Sequence, residues 1–398
     1  MAKLDFSYLI APHAASDFFD QYWELAALLV KRGEAGRHHE LIDDSWDASD
    51  TDGVLSMAER LPAEAVEVIG RDQPNSAAGD SNGAIAGWFN QGATIRVRAI
   101  QRFCEPLGDL CRNIEAELGC PVRANLYCTP ANSRGFNLHF DTHEVFVLQL
   151  FGKKRWQIFA PSETLPLEFV PRLSFENDRE AVSRSRGPGG ISETQPGPPA
   201  LEAVLEPGDC LYLPRGFLHQ ADAQDEPSVH LTIGIHVLTW LDLLSVALGQ
   251  TASRHDDLRR ALPPGLFKNG LNRDKFVAEF RERVELFARE SIFESAVDEI
   301  AESFARTRKA GRDDSIENDT ALEGNGQLRF YLAADGTMAG LACDEKELWL
   351  PAGFASAMRF VAEQRVFKPQ QLPGSITDNG KLAFVRHLVR DGFLRLVP

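Results

Sequence analysis

The stretch NLHFDTHEVFVLQLFGKKRW, Asn137–Trp156, sets the interpretation of this chain, because it opens with the His-x-Asp pair His139 and Asp141. Residues i and i+2 of an extended strand point to the same face, so the pair can present an imidazole and a carboxylate to one point in space. A second stretch, PGDCLYLPRGFLHQAD from Pro207 to Asp222, contains a PGD turn and supplies His219 at a predicted strand end or hairpin rim.

These residue types have a definite chemistry when they converge. Two histidines and one carboxylate on a β scaffold form the facial ligand set of non-haem Fe(II) oxygenases, which leaves coordination positions open for substrates. An isolated His-x-Asp is more often a hydrogen-bonded polar pair at a strand end. The additional histidine near a predicted hairpin shifts the interpretation of His139, Asp141 and His219 towards a metal site.

Composition limits the other possibilities. The chain has 398 residues and an ordinary globular composition, which predicts two to three domains. Its formal net charge of −16 argues against general nucleic-acid binding and suits either a basic partner or simple solubility. No long apolar run or secretory signal is visible, and the six cysteines form no CxxC pair. We therefore expect a cytoplasmic protein with reduced thiols and no membrane partner.

The hydrophobic pattern changes along the chain. Residues 1–95 are mixed, residues 95–119 have helical spacing, and short strands with turns follow to residue 237, as in an all-β sandwich or barrel. The Pro/Gly/Ser-rich segment 174–199 is predicted to be a long loop between the two metal-bearing strands. Amphipathic helices follow, then a charged linker at 311–327 and a small winged-helix-like unit.

Three segments resemble the JmjC-type, cupin-like 2-oxoglutarate oxygenases, and most closely the ribosomal oxygenases. They are NLYCTP at 125–130, HFDTHEVFVLQLFGKKRW at 139–156, and GDCLYLPRGFLHQAD at 208–222. The resemblance implies an α+β fold built on a double-stranded β-helix, the jelly-roll or cupin JmjC barrel, with N-terminal α/β elements. It also implies three domains: a catalytic domain at 1–238, a helical dimerisation domain at 239–312 and a winged-helix-like domain at 325–398.

The same resemblance implies a role for individual residues. His139, Asp141 and His219 would be the iron ligands, and Lys154 would pair with the distal carboxylate of 2-oxoglutarate. A buried dicarboxylate needs such a cation, and strand alternation places Lys154 on the face opposite its basic neighbours. Further contacts to the cosubstrate are implied for three residues: Asn125, Tyr127 and Thr232. No catalytic residue is expected beyond the metal site.

Other residues near the motifs have simpler interpretations. Phe140, between the two ligands, occupies a position where the ribosomal oxygenases usually carry Tyr, and its side chain should point away from the metal. His143 is expected at the rim of the site or beside the ligands. His230 and His236 flank the last barrel strand and are expected to be structural.

The resemblance predicts a dioxygenase that uses Fe(II), 2-oxoglutarate and dioxygen to hydroxylate an Arg or His side chain of a protein, most simply a ribosomal protein. It further predicts a homodimer, and direct nucleic-acid binding is not expected. Two alternatives remain open from the sequence. One is a hydroxylase of a peptide natural product or small molecule, and the other is a non-catalytic cupin-fold binding protein.

Overall fold

The fold is described here from a computed structural model of the protein. The structure describes residues 4–42, 50–70, 76–77, 84–167, 197–266, 274–290, 292–311, 316, 318–333, 338–343, 346–374, 378–390 and 393–397. The predicted loop at 174–199 therefore lies outside the described residues, apart from its last three positions.

Eleven α-helices are distributed along the described residues. The helices are α1 (Phe6–Ile10), α2 (Ala15–Gln21), α3 (Thr51–Glu59), α4 (Ala84–Asn90), α5 (Glu105–Leu118), α6 (Trp240–Arg254), α7 (Asp256–Arg259), α8 (Asp274–Arg289), α9 (Phe293–Gly311), α10 (Ala355–Glu363) and α11 (Asp378–Arg390). None of the helices within these described ranges is long and apolar enough to cross a membrane.

The strands fall into two groups, one before α6 and one after α9. The first group is β1 (Leu28–Val30), β2 (Val66–Ile69), β3 (Ser76–Ala77), β4 (Thr94–Val97), β5 (Val122–Thr129), β6 (Glu144–Phe151), β7 (Lys154–Pro161), β8 (Leu201–Leu205), β9 (Cys210–Leu213), β10 (Phe217–Ala223) and β11 (Ser228–Ile235). The second group is β12 (Leu322–Gly324), β13 (Arg329–Leu332), β14 (Met338–Cys343), β15 (Lys346–Pro351), β16 (Val366–Phe367) and β17 (Leu394–Leu396).

The first group forms two antiparallel sheets that enclose a common interior, as predicted for a β barrel or sandwich. The large sheet has the strand order β1-β9-β6-β11-β5-β4-β2-β3, and the small sheet has the order β10-β7-β8. Apolar side chains from both sheets pack together between them. They are Val145, Val147, Trp156, Ile158, Leu205, Leu211 and Leu213. Stacked sheets with a shared apolar interior are a stable way to bury one face of each strand.

The outer face of the large sheet carries the main hydrophobic core. Leu126 and Cys128 of β5 alternate with Tyr127, which points to the opposite face. These outward residues pack on α5, where Leu107, Leu110 and several neighbours are buried. Helix α5 ends at Gly119, whose φ of 68° suits the left-handed conformation that often terminates a helix. The helices therefore cover one side of the barrel and leave its interior available for polar groups.

Two details differ from the sequence prediction. Residues 94–97 are a strand rather than the start of the helical segment, because β4 pairs with both β2 and β5. Residues 322–324 lie in the predicted linker but form β12, which pairs with β16 and β17. A short run of apolar residues cannot show that it is a strand until its partners are known.

The segment after the barrel contains helices and a second core. Helices α6, α8 and α9 pack through Ala247, Phe287, Ile292 and Ala296. The strands β12 to β17 form two three-stranded sheets that share a core with α10 and α11. The observed order of β13, β15, α10, α11 and β17 follows the predicted strand, strand, helix, helix, strand, with β14 and β16 in addition.

Candidate metal centre

The two histidines are brought together by the backbone. His139 and His219 form an isolated antiparallel β-bridge between the loop before β6 and strand β10. The N–H of His219 donates to the carbonyl of His139 at 2.8 Å, and the N–H of His139 donates back at 3.2 Å. The ring centroids lie 4.4 Å apart. His219 is thus placed within β10 rather than at its end.

Each of these histidines is oriented through one ring nitrogen. Nδ1 of His139 donates to the carbonyl of Asn137 at 2.7 Å, and Nδ1 of His219 donates to that of Phe217 at 3.0 Å. A carbonyl can only accept, so both rings carry their proton on Nδ1. Nε2 is then the unprotonated nitrogen, and such anchoring is typical of histidines that bind a metal.

Asp141 completes the cluster. One of its carboxylate oxygens lies 3.5 Å from Nε2 of His219, and ligand atoms from His139, Asp141 and His219 all lie within 4.8 Å of one another. The backbone carbonyl of Asp141 accepts the N–H of Gly216 at 2.9 Å, which connects it to the turn between β9 and β10. The three predicted ligands therefore converge on one point.

The electrostatics keep Asp141 and His219 in the protonation states that a metal requires. Burial raises the pKa of Asp141, but the neighbouring His143, His139 and His219 outweigh it, so the pKa lies below its usual value. Burial lowers the pKa of His219 to about 4, and repulsion from His139 acts in the same direction. A carboxylate and a neutral imidazole are the forms that bind metal ions.

Lys154 lies inside the barrel with 3% of its surface exposed. Its ammonium donates to Oγ1 of Thr129 at 2.9 Å, and that hydroxyl also accepts from Thr94. Burial lowers the pKa of Lys154 to about 7, and the charges of Cys128 and Asp222 offset this only in part. A buried ammonium with a single hydroxyl partner at hydrogen-bond distance, among the described residues, is suited to pair with an anion.

His230 faces the same interior and was not predicted as a site residue. It pairs with Tyr127 across the β5–β11 ladder, and the two rings stack at 4.9 Å. Burial and the charge of Lys154 lower its pKa well below the usual value. The ring of Trp156 lies 5.7 Å from His230 and 6.0 Å from the metal-side His219, so it spans the space between Lys154 and the histidine cluster.

This interior contains polar atoms that the described part of the chain leaves unsatisfied. Nδ1 of His230 and Nε1 of Trp156 are both buried without a hydrogen-bond partner there. Such atoms are costly unless a ligand or water meets them. With Lys154 they place three nitrogen-bearing side chains inside the barrel. The arrangement fits a small acidic ligand that reaches from the histidine cluster to Lys154.

The other predicted contacts line the same interior. Asn125 and Tyr127 share a strand face with Thr129, and Thr232 lies directly opposite Asn125 in the ladder. The side-chain oxygen of Asn125 accepts the N–H of Ala99 at 3.1 Å, so this amide is partly committed to the protein itself. Partial burial of Tyr127 raises its pKa through desolvation, while the charge of Arg96 opposes that shift.

Residues beside the ligands have distinct environments. Phe140 packs with Phe159 and Leu218 in a separate apolar cluster, as expected for a side chain that points away from the metal ligands. The ring of His143 lies 4.7 Å from that of His236. A Cβ at Gly234 would lie 3.1 Å from the His143 ring, so the glycine allows this close approach.

Comparison with known proteins gives a family match for the central part of the chain. Residues 99–243 match the family model described as the JmjC domain. The chain contains a JmjC domain. This domain includes the three converging ligands, Lys154 and the interior strands β5 to β11, so the sequence match and the site geometry concern the same residues.

Curated relatives extend beyond this domain. The "Bifunctional lysine-specific demethylase and histidyl-hydroxylase NO66" of Aedes aegypti is 28% identical over 354 residues, 84% of this chain and 52% of that protein. "Ribosomal oxygenase 1" of Gallus gallus is 32% identical over 265 residues, 65% of this chain and 42% of that protein. The chain thus spans about half or less of the length of these relatives.

Solved structures resemble this chain at a lower sequence identity than the curated relatives do. A structure of "YcfD a Ribosomal oxygenase from Escherichia coli in complex with Cobalt and 2-oxoglutarate" aligns with a TM-score of 0.48 and 16% identity. The alignment covers 97% of this chain and 99% of that chain.

Burial of the Lys154 ammonium predicts that the free energy of unfolding changes with pH. Below pH 7 Lys154 is charged in both folded and unfolded protein, and its burial cost is fully present. Between pH 7 and 10.5 the unfolded state binds more protons, so the cost falls as pH rises. We expect wild-type protein to gain stability relative to Lys154→Met across this window, by up to about 1.4 kcal/mol per pH unit. Urea unfolding at several pH values measures the difference.

The exposed neighbour provides the matched control for this measurement. Lys153 is paired with Glu206, which raises its pKa rather than lowering it. Lys153→Met should therefore remain parallel to wild type between pH 7 and 10. Parallel curves for Lys154→Met and wild type would show that Lys154 is not carrying a desolvated charge.

Proposed function

We propose that this protein is an Fe(II)- and 2-oxoglutarate-dependent oxygenase that hydroxylates a side chain of a protein substrate. The observation that carries the proposal is the convergence of His139, Asp141 and His219, together with the buried ammonium of Lys154 on β7, the strand that pairs with the His219 strand β10. The three convergent groups are of the type that suits iron with open positions, and Lys154 is a buried cation. A 2-oxo acid with a second carboxylate needs both.

The donor set fits this cosubstrate. His139, Asp141 and His219 would hold the metal, and Lys154 would hold the distal carboxylate of 2-oxoglutarate. Nε1–H of Trp156, which is buried without a hydrogen-bond partner among the described residues, would offer a further donor to the bound anion, and the nearby Nδ1 of His230 is a second unpartnered nitrogen. Bound Fe(II), with 2-oxoglutarate and dioxygen, would supply oxidation of a C–H bond to C–OH, with succinate and carbon dioxide as coproducts.

The chain's own residues would orient the cosubstrate and exclude water from it. Fixed Nδ1 contacts hold His139 and His219 with Nε2 towards the ligand, so little reorganisation is needed on binding. The apolar interior beyond Trp156, which includes Val147 and Leu211, excludes water from the cosubstrate. Asn125, Tyr127 and Thr232 line the adjoining wall and would position it. The protein supplies orientation and exclusion of solvent, and the cofactor carries the difficult chemistry.

We further propose that the substrate is a ribosomal protein modified on an Arg or His side chain. Relatives named as ribosomal oxygenases and as histidyl-hydroxylases support this class. The net charge of −16 also suits a basic protein, because opposite charge speeds encounter. A peptide or small-molecule substrate, or binding without turnover, are the alternatives that the experiments below distinguish.

The metal ligands should be required for turnover. In the presence of Fe(II), ascorbate and oxygen, wild-type protein should convert 2-oxoglutarate to succinate, and His139→Ala and Asp141→Ala should lose nearly all of this activity. Phe140→Tyr, which lies between them but faces an apolar cluster, is the matched control and should retain it. Equal iron-dependent succinate formation by the two alanine variants and wild type would overturn the oxygenase assignment.

The substrate class can be tested by asking which candidate substrates stimulate the conversion of 2-oxoglutarate to succinate. Incubation with individual ribosomal proteins should raise succinate formation for one of them and add a single oxygen atom to an Arg or His in it, as measured by tandem mass spectrometry. Asp141→Ala provides the negative control. Stimulation by short peptides or small metabolites, and by none of the ribosomal proteins, would favour the alternative hydroxylase.

We also propose that the domains 1–238, 239–312 and 325–398 act together as a homodimer through the helical region. Exposed apolar side chains on α6, α8 and α9 support this, including Trp240 at 74%, Phe280 at 68% and Phe293 at 54% exposure. Such exposed apolar surface is unusual for a monomer. The six cysteines are all free thiols, which suits a reducing compartment such as the cytoplasm.

Sedimentation equilibrium should give twice the chain mass for wild-type protein, and the mass of one chain for Phe280→Glu. Leu332→Glu, at a comparably exposed position in the C-terminal unit, should remain dimeric. A monomeric wild-type protein, or a Phe280→Glu variant that stays dimeric, would contradict the proposed interface.

A further inference from the structure

A buried charge network lies immediately behind the metal-ligand loop and is absent from the mechanism described above. Its members are Glu24, Glu144, Tyr212 and Arg215. Glu144 is completely buried, and the side chain of Arg215 is only 7% exposed. Buried charges of this kind are costly unless they are paired, so their presence calls for a physical reason.

The four residues close a ring of contacts. The hydroxyl of Tyr212 donates to Oε2 of Glu144 at 2.5 Å and accepts the backbone N–H of Glu24 at 2.9 Å. The guanidinium of Arg215 donates to Oε1 of Glu24 at 2.5 Å. Nε of Arg215 then lies 3.7 Å from Oε1 of Glu144 and completes the circuit.

This ring touches the metal-ligand loop at both of its ends. Glu144 is the first residue of β6 and follows Asp141 by three positions. At the other end, Arg215 directly precedes Gly216, whose N–H donates to the carbonyl of Asp141 at 2.9 Å. A Cβ at Gly216 would lie 2.0 Å from the carbonyl oxygen of Glu163, so the turn has little room to shift.

We propose that Arg215 is a positioning residue for the metal centre, which fixes the loop 141–144 by holding Glu144 and the turn that binds Asp141. The proposal rests on the metal centre described under the proposed function. Glu24 anchors Arg215 from the N-terminal segment, where Trp23 stacks on the ring of Tyr212 at 6.1 Å. The N-terminal helices are thereby connected to the ligand geometry, although they supply no ligand.

The network is better suited to positioning than to simple stabilisation. Nε of Arg215 and Oε1 of Glu144 have no hydrogen-bond partner among the described residues, so the pair is not optimised as a salt bridge. An apolar core of the same volume often stabilises a protein at least as well as a buried ion pair. What the ring adds is a fixed spacing between the β9–β10 turn and the start of β6.

The test measures metal affinity separately from folding. Co(II) is titrated into metal-free protein, and its dissociation constant is followed by visible absorption, while circular dichroism and thermal unfolding without metal report the fold. We expect Arg215→Met to bind Co(II) about 10- to 100-fold more weakly, as is typical when groups that orient metal ligands are removed. Arg215→Lys should recover part of the affinity.

Two further variants keep the result interpretable. Glu24→Gln removes the negative charge of the outer anchor at a partly exposed position, and should weaken Co(II) binding in a folded protein even if Arg215→Met does not fold. Arg32→Met is the matched control, because the guanidinium of Arg32 donates to the backbone carbonyls of Tyr8, Leu9 and Ala11 rather than to members of the ring. It should lower the melting temperature and leave Co(II) affinity unchanged.

The outcomes separate this proposal from the one on which it rests. Wild-type affinity in both Arg215→Met and Glu24→Gln would overturn the positioning role while leaving the metal centre intact. Equal weakening by Arg32→Met would also overturn it, since any loss of stability would then suffice. Failure of the wild-type protein to bind Co(II) would overturn the metal centre itself.

Discussion

The pair of backbone hydrogen bonds between His139 and His219 is the constraint on which the site depends. It joins the loop before β6 to strand β10, and so brings together ligands from opposite sheets of the barrel. The Nδ1 contacts to neighbouring carbonyls then fix the ring orientation, and Asp141 approaches from the same loop. Because both histidine rings are held by main-chain carbonyls, their orientation follows from the β scaffold.

The site also requires that the charged side chain of Lys154 be buried inside the barrel. Among the described residues, the ammonium of Lys154 donates to one hydroxyl, and Nδ1 of His230 and Nε1 of Trp156 are buried without a hydrogen-bond partner. Each is destabilising in the absence of a ligand. In the proposed function, a bound dicarboxylate would satisfy these groups, so their cost to the stability of the free protein would be offset by ligand affinity. The buried network of Glu144 and Arg215, on the other side of the loop that contains Asp141, also holds buried polar atoms without a hydrogen-bond partner among the described residues.

Much of this could be predicted from local sequence. The alternation of β7 around Lys154 and the short turns are visible in the sequence, and the His-x-Asp pair marks two of the three converging residues. The extended strand expected for that pair was wrong, because His139 and Asp141 lie in the loop before β6 and only an isolated bridge to His219 holds His139. The role of His230 could not be predicted, since it depends on the register that sets it against Tyr127 from a distant strand. The strand at 94–97 was missed for the same reason: its apolar spacing also suits a helix, and pairing with β2 and β5 decides between them. Long-range pairing is the information that local patterns lack.

Binding of 2-oxoglutarate to the metal-loaded protein under anaerobic conditions tests the site most directly, because it involves both ends of the interior and needs no identified substrate. Isothermal titration calorimetry with Fe(II) present should give similar dissociation constants for wild type and Lys153→Met. His139→Ala and Lys154→Met should bind about 10-fold more weakly or worse, as expected for loss of a metal contact or a buried charged hydrogen bond. Equal affinity in all four proteins would contradict a cosubstrate site that extends from the histidine cluster to Lys154.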